Sequence, residues 1–494
     1  MKKSVFGILL MMEGLFVLSA LLVSLYYFVT EGEDDWWSLA LTAVICFGVG
    51  GVSKLMVRQD KDTRMSRADS FLIVALSWVV FSAIGMIPYI AYLRLDPASA
   101  FFEAMSGFTT TGATVLSGLD TMPHGILFWR ALTQWMGGLG IVVFSFALIP
   151  VYDLKNSNIF SAEVTGLGLD KLRPKIGSTA RRLLIIYIIL TGMCATAYWL
   201  GPMNFYDALC HSLTTIATGG FSTHDQSIAY FDSSYIEWTA SAFMLAASVN
   251  FSLYYYLSVR RPKVMFRNEE MLVFFGIVIF SITFFVGLFY YAPVLPGSEQ
   301  TIPQQGWETV RTAVFHVSTI ISSTGFAGKY CDYVAWGGVF SMLTVAIMAI
   351  GACAGSTGGG IKVVRIIVCA KSVMKEFLLQ LHPRAVKHIK VSGIVVEDAR
   401  VRRALAFIFI YIIMVIAGML VFGLLGLDAE TSIGSCISML SNVGPGTGSA
   451  GPTSNFMHVH PIGKCIMSFY MLVGRLEIYT VLFLFMPSFW TDRK

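Results

Sequence analysis

"SGFTTTGATVL", residues 106–116, is a soft polar stretch with four threonines and two glycines, set between the apolar runs 71–91 and 125–150. Glycine and threonine are common in ordinary loops, so a single copy decides little. This one recurs. The chain reads "TTIATGGFSTHD" at 214–225, "STIISSTGFAGKY" at 318–330 and "SMLSNVGPGTGSAG" at 438–451. Aligned on Gly112, Gly219, Gly325 and Gly444, the copies lie 107, 106 and 119 residues apart. Each has the same frame: an apolar span, a short amphipathic segment (101–109, 206–216, 308–321, 429–440), a Thr/Ser/Asn-Gly turn, and a second apolar span. At about 1.5 Å per helical residue these short segments reach only partway across a bilayer.

Non-helical backbone inside a membrane must be buried in protein or line water. Four such turns around one axis meet that condition together. Glycine lets the backbone adopt φ values that other residues resist, and rings of carbonyls replace the hydration shell of a cation. A half-helix that enters from outside points its partially negative C-terminus inward, which favours a cation at mid-membrane.

The rest of the chain supports a membrane setting. Of its 494 residues 55% are hydrophobic and 13% charged, where soluble domains carry about 25% charged residues. Ten apolar segments approach or exceed the length of a membrane helix: roughly 5–28, 38–57, 70–93, 126–150, 183–201, 236–258, 271–293, 336–370, 402–426 and 464–487. The first is too long for a signal-peptide core and has no small-residue cleavage site, so it reads as a membrane helix. With both termini on the cytoplasmic side, the internal segments hold 29 of the 35 Lys and Arg residues, as the positive-inside rule requires. The acidic "EGEDDWW" (31–37) then falls outside. This topology accounts for the net charge of +5 without nucleic acid. The eight cysteines are scattered singly, and the eight histidines show no metal-type spacing, so neither a disulfide framework nor a metal site is suggested. No acid/base or nucleophile constellation appears, so the chain does not read as an enzyme, and no organic cofactor is expected.

The stretches 106–116, 216–228, 322–336 and 441–448, together with "GRLEIYTVL" (474–482), resemble the motifs of the Trk/Ktr/HKT superfamily of cation transporters. The resemblance covers residues 70–487, and the two extra N-terminal spans resemble the bacterial TrkH/TrkG branch. It implies an all-α polytopic protein of ten transmembrane helices, with four membrane–pore-loop–membrane repeats in a pseudo-fourfold arrangement. The divisions are 1–69 for the extra helices and 70–182, 183–270, 271–403 and 404–494 for the repeats. It also implies a filter of Thr110, Thr111 and Gly112; Ala217, Thr218 and Gly219; Ser323, Thr324 and Gly325; and Asn442, Val443 and Gly444, acting mainly through backbone carbonyls. In the plant HKT branch a serine at the first glycine position accompanies sodium preference. All four positions here are glycine, so the transported ion is expected to be K⁺. The four strands differ in sequence, which suggests looser selectivity than in a symmetric potassium channel. The family further implies a homodimer with one pore per chain, a cytosolic ring of nucleotide-binding subunits of the TrkA/KtrA type, and residence in the bacterial cytoplasmic membrane.

Several residues remain open on sequence alone. "GACAGSTGGGIKVVRIIV" (351–368) interrupts the eighth span. It is either a patch of tight helix packing or a break forming a flexible loop. Consecutive glycines at 358–360 cost a helix about 1 kcal/mol each, which favours the break. The family has an obstructing loop there, with Gly355, Gly358, Gly359 and Gly360 as its candidate gating residues. A P-loop is excluded because Ile361 separates Gly360 from Lys362. Arg475, read as mid-span, is either a structural pairing or a pore-facing barrier, the role the resemblance implies. Glu13 is read as packing in the bundle or near the interface. Glu103 and Asp207 are read as helix-start carboxylates. The basic connection 371–403 serves topology or docks a soluble partner. The competing functions are a sodium-preferring or weakly selective member of the same family and an unrelated secondary transporter with inverted repeats; H⁺ coupling stays open. The four repeats start on the same side, which argues against inversion.

Overall fold

The computed structural model describes residues 2–55, 67–140, 176–258, 260–291 and 306–491. Six helical spans are long and apolar enough to cross a membrane unbroken: Phe6–Glu31, Trp36–Lys54, Phe71–Ala91, Arg181–Trp199, Glu269–Tyr291 and Asp398–Leu424. They correspond to the two extra N-terminal spans and to the first span of each repeat. The second span of each repeat behaves differently. In the first repeat it is the helix His124–Leu139, and its remainder, 141–150, lies outside the described residues. In the second it is two helices, Ser234–Ser248 and Phe251–Ser258. In the third it is Gly338–Ala349 and Val363–Leu381, separated by non-helical backbone. In the fourth it is Pro461–Arg475 followed by Glu477–Phe485, bent by 113°. The ten predicted apolar segments are thus six continuous spans and four that are interrupted or only partly described.

The short segments are half-helices: Pro97–Phe108, Phe205–Ile216, Gly306–Ile321 and Ala429–Ser441. Three begin at a side-chain cap. Asp96 accepts Ser99 N–H at 3.0 Å ahead of Pro97, Asn204 accepts Asp207 N–H at 2.7 Å, and Asp428 accepts Thr431 N–H at 3.1 Å. Each cap satisfies a backbone donor that the first turn leaves open. The half-helices and the second spans of the repeats form the buried centre, while the first spans turn apolar faces outward: Ile279, Phe280, Phe409 and Leu420 are all exposed. Glu13 is fully buried in the first helix, with no hydrogen-bond partner on either carboxylate oxygen among the described residues. The long connection that closes the third repeat carries a two-stranded antiparallel hairpin pairing Lys390 with Val395 and Val391 with Ile394. Its turn residues, Ser392 and Gly393, both have positive φ, the geometry that matches hairpin twist.

Candidate functional site

Each half-helix ends in the same way. In the first, Thr110 N–H donates to Gly107 O and Thr111 N–H to Ser106 O, both at 2.9 Å. In the second, Thr218 donates to Thr215 O and Gly219 to Thr214 O; in the third, Ser323 to Ile320 O and Thr324 to Thr319 O; in the fourth, Asn442 to Met439 O and Val443 to Ser438 O. This pair of bonds defines the Schellman termination, whose first non-helical residue is left-handed and is usually glycine or asparagine. Here it is Thr110, Thr218, Ser323 and Asn442, with φ of 50°, 53°, 58° and 54°. A non-glycine residue so held costs on the order of 1–3 kcal/mol and persists only where its surroundings impose it.

Two residues further on, each strand has a glycine at positive φ: Gly112 (84°), Gly220 (80°), Gly325 (79°) and Gly444 (101°). The space beside each is taken by the next strand's backbone. A β-carbon on Gly112 would overlap Gly219 O; on Gly220, Thr324 O; on Gly325, Val443 O; and on Gly444, Thr111 O. The relation runs once round all four strands and closes. The carbonyls of Thr111, Gly219, Thr324 and Val443 therefore form one ring, with a glycine against each.

This closure corrects the sequence alignment in the second repeat. The residue equivalent to Gly112, Gly325 and Gly444 is Gly220, not Gly219. Gly219 matches Thr111, and Ala217 matches Thr109, outside the three-residue window assigned to it. The usable signal was the Gly-Phe pair: Phe221 follows Gly220 as Phe326 follows Gly325. Strands one and four are tied directly, since Asn442 Nδ2 donates to Thr111 Oγ1 and to Met471 O, both at 2.9 Å.

The non-helical stretch 350–362 packs against the C-terminal ends of three half-helices. Its neck is closed by Gly351 N–H to Ile361 O at 2.9 Å and Ile361 N–H to Ala349 O at 3.1 Å. At its tip Thr357 Oγ1 donates to Ile216 O at 3.2 Å, and Gly359 N–H donates to Ser323 Oγ at 2.8 Å. A β-carbon on Gly358 would crowd Ser322 O, and one on Gly359 would overlap Ser441 O. Gly355 and Gly360 have φ of 75° and 71°. Arg475 donates to Thr357 O in the loop and to Gly137 O of the first repeat. Lys362 Nζ donates to Gly358 O. The loop also satisfies the break in the second repeat, through Cys353 N–H to Ser248 O and Phe251 N–H to Gly355 O, both at 3.1 Å. The backbone groups exposed by one interruption are therefore answered by the other.

The profile of the TrkH family, described as a cation transport protein, matches residues 38–492. The chain belongs to the TrkH family. It is 37% identical over 456 residues to the Trk system potassium uptake protein TrkH of Escherichia coli K12, covering 91% of this chain and 92% of that one. It is 36% identical over 493 residues to TrkH of Halomonas elongata, with 98% of both covered. It is 31% identical to the Trk system potassium uptake protein TrkG of Escherichia coli K12, over 98% of this chain and 97% of that one. The crystal structure of the potassium transporter TrkH from Vibrio parahaemolyticus superposes with a TM-score of 0.86, covering 99% of both chains at 32% identity. TrkH-family proteins are membrane transporters and not enzymes.

In this TrkH-family chain Arg475 lies at the break within the last span: it ends the helix Pro461–Arg475, directly before the sharp bend, and Glu477 beyond it has φ of 57° and pairs with Arg365. One sequence expectation changes, because Glu103 is not at a helix start. It lies in the seventh position of Pro97–Phe108, fully buried, where it pairs with Arg130, accepting Nε–H at 2.9 Å, and accepts Val115 N–H at 2.9 Å. Arg130 Nη1 also donates to Ser222 O at 3.1 Å, and its guanidinium lies 4.1 Å from the Phe221 ring centroid. The pair therefore braces strands one and two from behind. Asp207 is in the first turn of its helix as expected, and it also receives His224.

On the outer face predicted from topology, His224 bridges the first two repeats through Nδ1 to Asp120 at 2.5 Å and Nε2 to Asp207 at 3.2 Å. Burial works against the imidazolium, but the bonds to Asp207 and Asp120 outweigh it and raise its pKa above the ordinary value. Glu31, Glu33 and His124 bring ligand atoms within 4.8 Å of one another. Distant segments assemble that group, so no local spacing reveals it, and His124 Nδ1 lies 2.7 Å from Glu33 Oε1. Sequence reasoning passed over Gln134 and Glu270. Glu270 Oε1 accepts Ala354 N–H at 2.6 Å and Val364 N–H at 3.3 Å, bracketing the loop. The available signal for Gln134 was a polar residue within a largely apolar run, whereas Glu270 closes the polar "RNEE" (267–270) ahead of one and had no such signal.

Proposed function

We propose that this protein carries K⁺ into a bacterial cell across the cytoplasmic membrane. The transported ion passes the ring of Thr111, Gly219, Thr324 and Val443 carbonyls, and stretch 350–362 with Arg475 is the gate below it. The observation that carries the reading is the closed ring itself. Four strands reach one centre, each from the C-terminal end of a half-helix, so carbonyl oxygens and partially negative helix ends converge on the same point. Such a place suits a dehydrated monovalent cation. The choice of K⁺ rests on the relatives, which are named as potassium uptake proteins or as a potassium transporter.

Arg475 remains charged at physiological pH and bonds the loop tip to the first repeat. In this reading it closes the path twice, by repulsion and by holding the loop. The basic connection 371–403 is cytoplasmic, as are both termini, and receives a nucleotide-binding ring of the TrkA/KtrA type on a homodimer. The test is current–voltage reversal in proteoliposomes of the purified full chain under separate K⁺, Na⁺ and H⁺ gradients. A reversal potential that follows the K⁺ gradient is expected. One that follows Na⁺ equally well overturns the reading.

A further inference from the structure

The ring has four similar strands, yet one is held differently. Gln134 lies in the helix His124–Leu139 of the first repeat and is fully buried. Its Nε2 donates to Gly219 O at 2.7 Å, and its Oε1 accepts Phe221 N–H at 3.0 Å. The two bonds span Gly220, the positive-φ glycine of the second strand. The amide orientation is fixed by the partners, since a carbonyl only accepts and a backbone N–H only donates. Among the described residues the other ring carbonyls, of Thr111, Thr324 and Val443, accept no hydrogen bond. Gly219 is a glycine for the same reason: a β-carbon there would overlap the Gln134 amide.

We infer that Gln134 is a positioning residue that sets ion selectivity. It clamps the second strand and occupies one lone pair of the Gly219 carbonyl, so the ring presents three open oxygens and one already engaged. The inference rests on the filter reading above. Removing the amide frees the strand and leaves the buried Phe221 N–H without its acceptor, so the ring no longer holds one fixed size.

The experiment compares reversal potentials in K⁺/Na⁺ mixtures for purified full-length wild type, Gln134→Leu, Gln134→Glu and Gly112→Ser in proteoliposomes. Gln134→Leu is expected to lower the K⁺/Na⁺ permeability ratio about fivefold, the factor one lost hydrogen bond commands. Gln134→Glu still accepts Phe221 N–H but, ionised, has no proton for Gly219 O, so it falls between Leu and wild type. Gly112→Ser controls the filter reading and is expected to lower the ratio. The ratio is a per-molecule quantity, so a merely structural role would reduce yield and leave it unmoved. A wild-type ratio in Gln134→Leu beside a lowered one in Gly112→Ser overturns the role of Gln134 and leaves the filter standing. A wild-type ratio in both overturns the filter reading and this inference with it. If Gln134→Leu gives no monodisperse protein, Gln134→Glu decides, and a wild-type ratio there overturns the inference.

Discussion

The ring of four turns and the loop that packs against it are both glycine-rich, non-helical and buried, but they are held by different bonds. Each ring strand is fixed by backbone bonds to its own half-helix, and its glycine faces the backbone of the next strand. The loop tip is held largely by side chains: Arg475 and Ser323 from elsewhere, and its own Lys362 and Thr357. Backbone contacts of the first kind cannot be exchanged without unwinding a helix. Side-chain bonds of the second kind can be released by rotating a few torsions. The comparison assigns rigidity to the ring and movement to the loop, although both have the composition usually read as flexible.

The largest expected effect comes from the ring. Gly220→Ala adds a β-carbon at φ 80° into Thr324 O, so one of the two backbones must shift. It should sharply reduce K⁺ uptake in a strain lacking other uptake systems, lower K⁺/Na⁺ discrimination as Gly112→Ser does, and cost roughly 1–3 kcal/mol of stability. Gly219→Ala meets only the end of the Gln134 side chain, so it should fold and reduce K⁺/Na⁺ discrimination as Gln134→Leu does. Thermal melts and uptake on the pair read the register of the second strand. The reverse order, with Gly220→Ala tolerated, would restore Gly219 as the ring glycine.

A smaller effect is expected in the loop. Arg475→Ala removes bonds to Thr357 O and Gly137 O together with a fixed charge. A hydrogen bond to a charged group contributes about 1.5–3 kcal/mol, so flux per folded molecule without a cytosolic partner should rise about tenfold. Arg475→Lys keeps the charge and should stay nearer wild type. Lower normalised flux in the Ala variant would mean that the loop is as fixed as the ring.

The smallest effect concerns the outer mouth. Because the folded pKa of His224 is raised, its contribution to stability is fully present below the ordinary histidine value of about 6.5 and is lost as pH rises through the folded value. Wild type should therefore lose a degree or two of Tm across that window, and His224→Gln should lose less. Equal slopes for both proteins would remove the bridge between Asp120 and Asp207 as a source of pH dependence.

Repetition made much of this legible. The half-helices start and end within a few residues of the amphipathic segments read from sequence, because amphipathic period, caps and glycine turns are local properties. The break at 350–362 was also readable, since no helix accommodates three adjacent glycines cheaply. The Thr-Gly-Gly triplet of the second strand was ambiguous, because either glycine fits the same local pattern. The bend beside Arg475 was not readable, because nothing in "GRLE" announces a turn of 113°.

By itself, the sequence determined the class of protein, the four-repeat frame and the places where helices stop, since each follows from hydropathy, period and the conformational limits of glycine. Tertiary structure alone decided which second-strand glycine closes the ring, that Gln134 engages one of its carbonyls, and that Glu103 pairs with Arg130 instead of capping a helix. Those outcomes depend on contacts between residues 27 to 87 positions apart, and on more distant ones around the ring. Such contacts are selected by the one packing that satisfies every buried polar group at once, and no local window of sequence contains that condition.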